Sequence, residues 1–161
     1  MERITVVRAI IDGLIERINV TQEKDPTPTK RNATIQSYGT AAFARFLALK
    51  RGLDPELASI IGHLNDVGRI VHGTDDASRC TIGALEAERA LRKTSLFSEM
   101  EISVICNAIK SQDAVGIKGG PYEELLKDAV LLEKYFDRLN YLPEGDEQNR
   151  LINIFVELNM A

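Results

Sequence analysis

Apolar residues recur at steps of three and four along most of this chain, and no stretch alternates apolar and polar residues as a half-buried strand does. Ile4, Val7, Ile11, Leu14 and Ile18 form one such stripe, and Ile35, Tyr38, Ala42, Phe46 and Leu49 a second. Leu57, Ile60, Ile61 and Leu64 come next, followed by an Ala-, Glu- and Leu-rich run from Thr81 to Lys93 that is helical by propensity. Ile102, Ile105, Cys106 and Ile109, then Leu125, Ala129, Leu132, Phe136 and Leu139, then Leu151, Ile154, Phe155 and Leu158 complete the series. The β-branched residues sit on these stripes rather than in period-two arrays. The pattern predicts an all-α bundle of about seven helices.

Punctuation between the stripes agrees. DPTPTKRN, Asp25 to Asn32, has two prolines and no apolar period, so it reads as a loop. Gly52 supplies a helix stop, and Asp54 can cap the next helix with Pro55 at its first position. Ser98 and Glu101 have capping-box spacing. Gly68 to Arg79, with two glycines and an Asp pair, reads as a long loop, and SQDAVGIKGGP, from Ser111 to Pro121, as a break.

At 161 residues the chain has the length of one domain, 1–161, with room for a core that needs neither disulfide nor metal. Lys and Arg number 20 against 24 Asp and Glu, a net charge of -4, which argues against a nucleic-acid binder because phosphate neutralisation needs clustered cations. Glu2, Arg3, Arg8, Asp12, Glu16 and Arg17 interrupt the first twenty residues too often for a signal peptide or membrane span. Cys80 and Cys106 lie apart with no CxxC spacing, so a reduced, cytoplasmic setting is expected. Lys118-Gly119-Gly120 lacks the spacing of a phosphate loop. Ser111, Cys80 and Cys106 have no histidine placed to activate them as nucleophiles.

The segment GLDPELASIIGHLNDVGRIV resembles the central signature of the HD superfamily, in which a helix ends in a His-Asp pair followed by Val/Ile-Gly-Arg/Lys; here those letters are Asn65-Asp66-Val67-Gly68-Arg69. ATIQSYGTAAFARFLALKRGLDPE upstream is similar to the family's first helix. TIGALEAERALRK, LFSEMEISVICNAIKSQ and EELLKDAVLLEKYF are similar to its later segments, in the same order. The resemblance covers about residues 33–137 and leaves helices at 1–20 and 147–160 as additions, which cap the core or build a homodimer face.

The resemblance implies a metal-dependent phosphohydrolase fold whose ligands are an early His, the His-Asp pair and a late Asp. The metal would polarise a phosphoryl oxygen and lower the pKa of bound water. In this chain the early His falls at Ala33 or Gln36 and the His of the pair at Asn65. A fourth-helix His falls near Arg79 or Cys80, a later His pair on Ser111-Gln112, and the late Asp on Val130, two residues after Asp128. Of the core ligands only Asp66 survives.

The chain therefore reads as a degenerate HD domain, a ligand- or protein-binding module with no cofactor expected. Its remnant pocket is expected to hold Asn65, Asp66, Arg69, Ser111, Gln112 and Asp128, and a small phosphate-containing molecule or a protein is the expected partner. Arg69 matches a position near substrate phosphate, or else serves a structural salt bridge. The alternative is an atypical phosphohydrolase acting on a nucleotide or small phosphate ester, with divalent metal on Asp66, His63 and His72 assisted by Asp75 and Asp76. Against it, His63 also suits a half-buried slot on an apolar helix face.

Overall fold

Local chemistry at the helix starts sets the frame. In the computed structural model, which describes residues 2–18, 29–73 and 77–160, Thr29 Oγ1 accepts from the Asn32 N–H at 3.1 Å. Asp54 Oδ1 accepts from the N–H groups of Glu56 and Leu57 at 2.8 and 3.2 Å, with Pro55 as first helical residue. Ser98 and Glu101 form both halves of their capping box. Gly52, at φ +67°, ends its helix in the left-handed region.

Eight helices result among the described residues, with no strand: α1 (Arg3–Glu16), α2 (Lys30–Arg51), α3 (Pro55–Leu64), α4 (Val67–His72), α5 (Arg79–Thr94), α6 (Glu99–Ser111), α7 (Pro121–Asp137) and α8 (Gly145–Glu157). The all-α expectation holds. The added element is α4, one and a half turns inside the stretch read as a loop; Gly73, at φ +65°, stops it. Residues 74–76, which include Asp75 and Asp76, and most of the loop before α2 lie outside the described residues. No helix among the described residues is long and apolar enough to cross a membrane.

Helix α3 is the axis of the bundle: every residue from Leu57 to Leu64 is buried, as a helix enclosed on all sides requires. On one side its Ile60, Ile61 and Leu64 join a core with Val7 and Ile11 of α1, Leu91 of α5, Ile105 and Ile109 of α6 and Leu126 of α7. On the other, Ala58 joins Leu47 of α2, Leu125 and Leu132 of α7, and Leu151 and Ile154 of α8. Both terminal helices thus turn apolar stripes inward.

Two stripes face differently from expectation. Helix α2 buries Ala33, Ser37, Thr40, Ala41, Ala44, Leu47 and Ala48, while Ile35, Ala42, Phe46 and Leu49 are exposed. The reason is steric: a Cβ built on Gly62 would lie 2.5 Å from Ala41 Cα and 2.7 Å from Ala41 N, so the two backbones touch and only small side chains fit between them. Helix α7 ends at Asp137, which leaves Leu139 beyond it and 99% exposed, and Phe136 half-exposed in a stack on Phe43 with centroids 5.7 Å apart.

Gly62→Ala should therefore cost about 2 kcal/mol or more, since backbone rather than a movable side chain must give way. Gly13→Ala, in α1 with open space around its Cβ position, should add about 0.5–1 kcal/mol. Urea denaturation of the two variants measures both, and effects of the same sign would refute the close-crossing account.

Candidate functional site

Asn65 and Asp66 occupy the short junction where α3 hands over to α4, deep enough that both are buried. Gln112, at the end of α6, fixes the junction by donating from Nε2 to the Asn65 carbonyl at 2.7 Å and to the Ile109 carbonyl at 3.1 Å. A second close crossing brings α5 over it: a Cβ on Gly68 would lie 2.7 Å from the Arg79 carbonyl and 2.7 Å from Gly83 N. Arg79 at the start of α5 consequently reaches Asp66, with Nη1 donating to Oδ1 at 2.9 Å, and Nη2 donating to both oxygens of Asp113 at 2.6 and 2.8 Å. Arg69, one turn along α4, places Nη1 3.7 Å from Asp66 Oδ2.

Asn65, Asp66, Arg69, Arg79 and Asp113 line a cavity of about 230 Å³. Gln36 of α2 and Val130, Glu133 and Lys134 of α7 close it, and Arg138 stands at its edge. Val130, Glu133 and Lys134 share one face because they are three and four residues apart. Among the described residues, four buried side-chain polar atoms have no hydrogen-bond partner: Gln36 Oε1, Asn65 Oδ1, Arg69 Nε and Glu133 Oε1. All four belong to residues lining this cavity. Such groups cost about 1–3 kcal/mol each when left unpaired, and the unsatisfied polar atoms are concentrated in the residues around this cavity.

The electrostatics are divided. Burial works against the charge on Arg79, but hydrogen bonding to Asp113 and attraction to Asp66 and Asp113 raise its pKa overall. Burial pushes Asp113 up, yet the bonds from Arg79 and Cys80 outweigh it and hold the carboxylate below its ordinary range. Cys80, whose thiol donates to Asp113 Oδ2 at 3.1 Å, is pushed up to about 11, chiefly by burial, and is no nucleophile at neutral pH. Burial, reinforced by Asp137, raises Glu133.

The expected site residues separate. Asn65, Asp66 and Arg69 line the cavity. Ser111 does not: its hydroxyl donates to the Ala108 carbonyl of its own helix. Gln112 stands behind the junction and lines a neighbouring pocket of about 150 Å³. Asp128 also lies elsewhere. Two residues before Val130, and so about 200° around α7, it accepts from Arg51 Nη2 at 2.6 Å and Arg150 Nη1 at 2.7 Å in a cleft against α8. Sequence reasoning did not name Glu133, Lys134, Arg138 or Asp113. Helical spacing from Val130 was the signal that could have found the first two.

The histidines do not join Asp66. His63, 1% exposed, takes a hydrogen bond from Arg8 Nε on Nε2 at 3.2 Å, and its Nδ1 lies 3.2 Å from Ser37 Oγ. Arginine only donates, so Nδ1 carries the ring proton. The Tyr38 ring packs edge-on, 4.7 Å away. His72 is exposed and meets Glu86 Oε1 at 3.2 Å. Among the described residues no group of three or more His, Cys, Asp or Glu side chains is arranged to hold a metal ion. The three carboxylates that line the cavity, Asp66, Asp113 and Glu133, are not so arranged, and Asp66 and Asp113 are ion-paired to Arg79.

Two outcomes test this geometry. Arg79→Met should destabilise the fold by about 2–3 kcal/mol, because buried Asp66 loses its 2.9 Å pair. Asp113→Asn, at an exposed carboxylate, should cost under about 1 kcal/mol in the same urea titration. His63 is lowered to about 4 by burial and by Arg8, below the ordinary 6.5, so the unfolded chain takes up a proton that the folded chain refuses. Stability from this group is complete above about pH 7 and falls by about 2–3 kcal/mol as pH drops from there to 4. His63→Gln should flatten that fall; an unchanged profile would show that His63 is not its source.

Comparison of the chain with protein-family models, with curated proteins and with solved structures returns no match.

Proposed function

We propose that this chain is a degenerate HD domain, cytoplasmic, that binds a small phosphate-containing ligand and does not hydrolyse it. The observation that carries the reading is the cavity lining. Gln36, Asn65, Asp66 and Val130, the positions at which the HD resemblance expects metal ligands, all face one cavity, and Arg79, where it expects a further histidine, faces it too. Ala33, the other choice for the early ligand, is buried in the core and does not line the cavity.

On this reading a fixed guanidinium takes the electrostatic place of the metal. It balances Asp66 and adds positive potential, but it has no open coordination position and cannot deliver hydroxide from a bound water as a metal does. Arg69, Arg79, Lys134 and Arg138 outnumber Asp66, Asp113 and Glu133 around the cavity, which favours an anionic occupant. Arginine is well shaped for phosphate because its planar fork donates two parallel hydrogen bonds.

The test is made on purified protein. Inorganic phosphate should bind saturably near millimolar Kd in calorimetry, equivalent to about -4 kcal/mol, and Arg69→Met should weaken it at least about tenfold by removing one charge-assisted contact. After exposure to Mn²⁺ and dialysis the protein should retain no stoichiometric metal and turn over no phosphomonoester. Stoichiometric Mn²⁺ lost on Asp66→Ala, together with metal-dependent turnover, would overturn the proposal.

A further inference from the structure

The outer face of α2 carries apolar residues where a surface helix carries polar ones, and they are evenly placed. Ile35, Gly39, Ala42, Phe46 and Leu49 follow one another at steps of four, three, four and three, the spacing of the a and d positions of a coiled-coil seam. Phe46 and Leu49 are 51% and 64% exposed, Ile35 and Ala42 are exposed too, and Gly39 is half-buried. The seam therefore runs about 21 Å along the surface. Single exposed apolar residues are ordinary, but a continuous row of them marks a contact face. Phe43 beside the seam stacks on half-exposed Phe136 of α7 and widens the apolar strip. Gly39 and Ala42 are small, which leaves room between Ile35 and Phe46 for a large side chain of a facing helix.

The flanks set the charge of that helix. In this register Arg31 and Arg45 take g positions and Lys50 an e position, all three exposed. Among the described residues none of them forms an ion pair, whereas Lys30 is paired with Glu16 and Arg51 with Asp128 and Glu157. Helix α2 contains no Asp or Glu, although the chain as a whole carries a net charge of -4. A second copy of α2 does not fit the seam, because parallel pairing sets g against e and antiparallel pairing g against g, and both bring cations together. A flat anionic membrane fits less well than a single helix, because exposed Asp12 of α1, accepting from the Tyr38 hydroxyl at 3.0 Å, stands at the seam's edge.

We infer that the outer face of α2 docks an acidic amphipathic helix of another protein, with apolar a and d residues packed along Ile35 to Leu49 and carboxylates at e and g paired with Arg31, Arg45 and Lys50. This face uses nothing in the cavity, so it stands or falls apart from anion binding. A synthetic peptide of about four heptads with Ile at a, Leu at d and Glu at e and g, and the same peptide with Lys at e and g, are titrated into the full chain. The glutamate peptide should bind saturably, with a Kd on the order of tens of micromolar, and the lysine peptide should not. Phe46→Ser, at a half-exposed position, should weaken binding at least about tenfold. Should that variant fail to fold, the exposed pair decides: Arg45→Glu with Lys50→Glu should lose the glutamate peptide and gain the lysine peptide. Equal binding of both peptides, affinity unchanged in these variants, or no binding of the glutamate peptide overturns the inference. Binding to phosphatidylserine vesicles but not to the peptide overturns it in favour of a membrane surface, and a dimer in sedimentation equilibrium that Phe46→Ser dissociates overturns it in favour of a second copy.

Discussion

The contact of the α2 and α3 backbones at Gly62 and Ala41 is the constraint from which the rest follows. With a Cβ there, α3 would have to move away from α2 and could not run buried along its whole length through the bundle. Because it does, the residues that follow Leu64 emerge in the interior rather than at the surface. That is why a polar pair, Asn65-Asp66, can be buried at a helix junction without being packed in hydrocarbon. Gly68 against Gly83 repeats the device one element later and brings Arg79 over Asp66. Two glycine crossings thus set the distances among Asp66, Arg79 and Asp113.

The two charged clusters on α7 show how such a helix can serve two ends. On one face Asp128 is held by Arg51 and Arg150, and Glu157 adds a further partner to Arg51, which fastens α8 to the bundle. On the other, Val130, Glu133 and Lys134 border a cavity in which Glu133 and three other side chains leave polar atoms without partners. The clefts are similar in volume, about 290 and 230 Å³. Volume does not distinguish the two clefts; satisfaction of the hydrogen-bonding groups does.

What could be read from the sequence follows from the range of each interaction. Caps are local, and Asp54, Ser98 with Glu101, and Gly52 were all legible. So were the stripes of α1, α3 and α6, where large apolar residues leave one choice of face. The face of α2 was not, because its exposed side carries Phe46 and Leu49 while its buried side is mostly alanine, serine and threonine. Hydrophobicity points the wrong way when the determining property is smallness, and smallness is needed only because Gly62 lies opposite, a fact of tertiary structure. Asp128 was misplaced for a related reason. A phrase-level likeness assigns residues to a neighbourhood, but a helix turns about 100° per residue, so an offset of two exchanges one cleft for another.

Arg79 shows what such a likeness leaves open. Its chemistry depends on Asp66 and Asp113, 13 and 34 residues away in the chain. Held between those carboxylates, its guanidinium cannot swing out to follow a ligand; what it offers is a fixed charge whose desolvation is already balanced in the folded protein. The adaptable cations are elsewhere, at Arg69, whose Nε has no partner, and at Arg138, exposed on the rim. On the proposed reading, binding energy in the cavity should come from Arg69 and the rim, while Arg79 governs whether Asp66 can be buried at all. Substitutions at the two arginines should separate accordingly, one acting on affinity and the other on the fold.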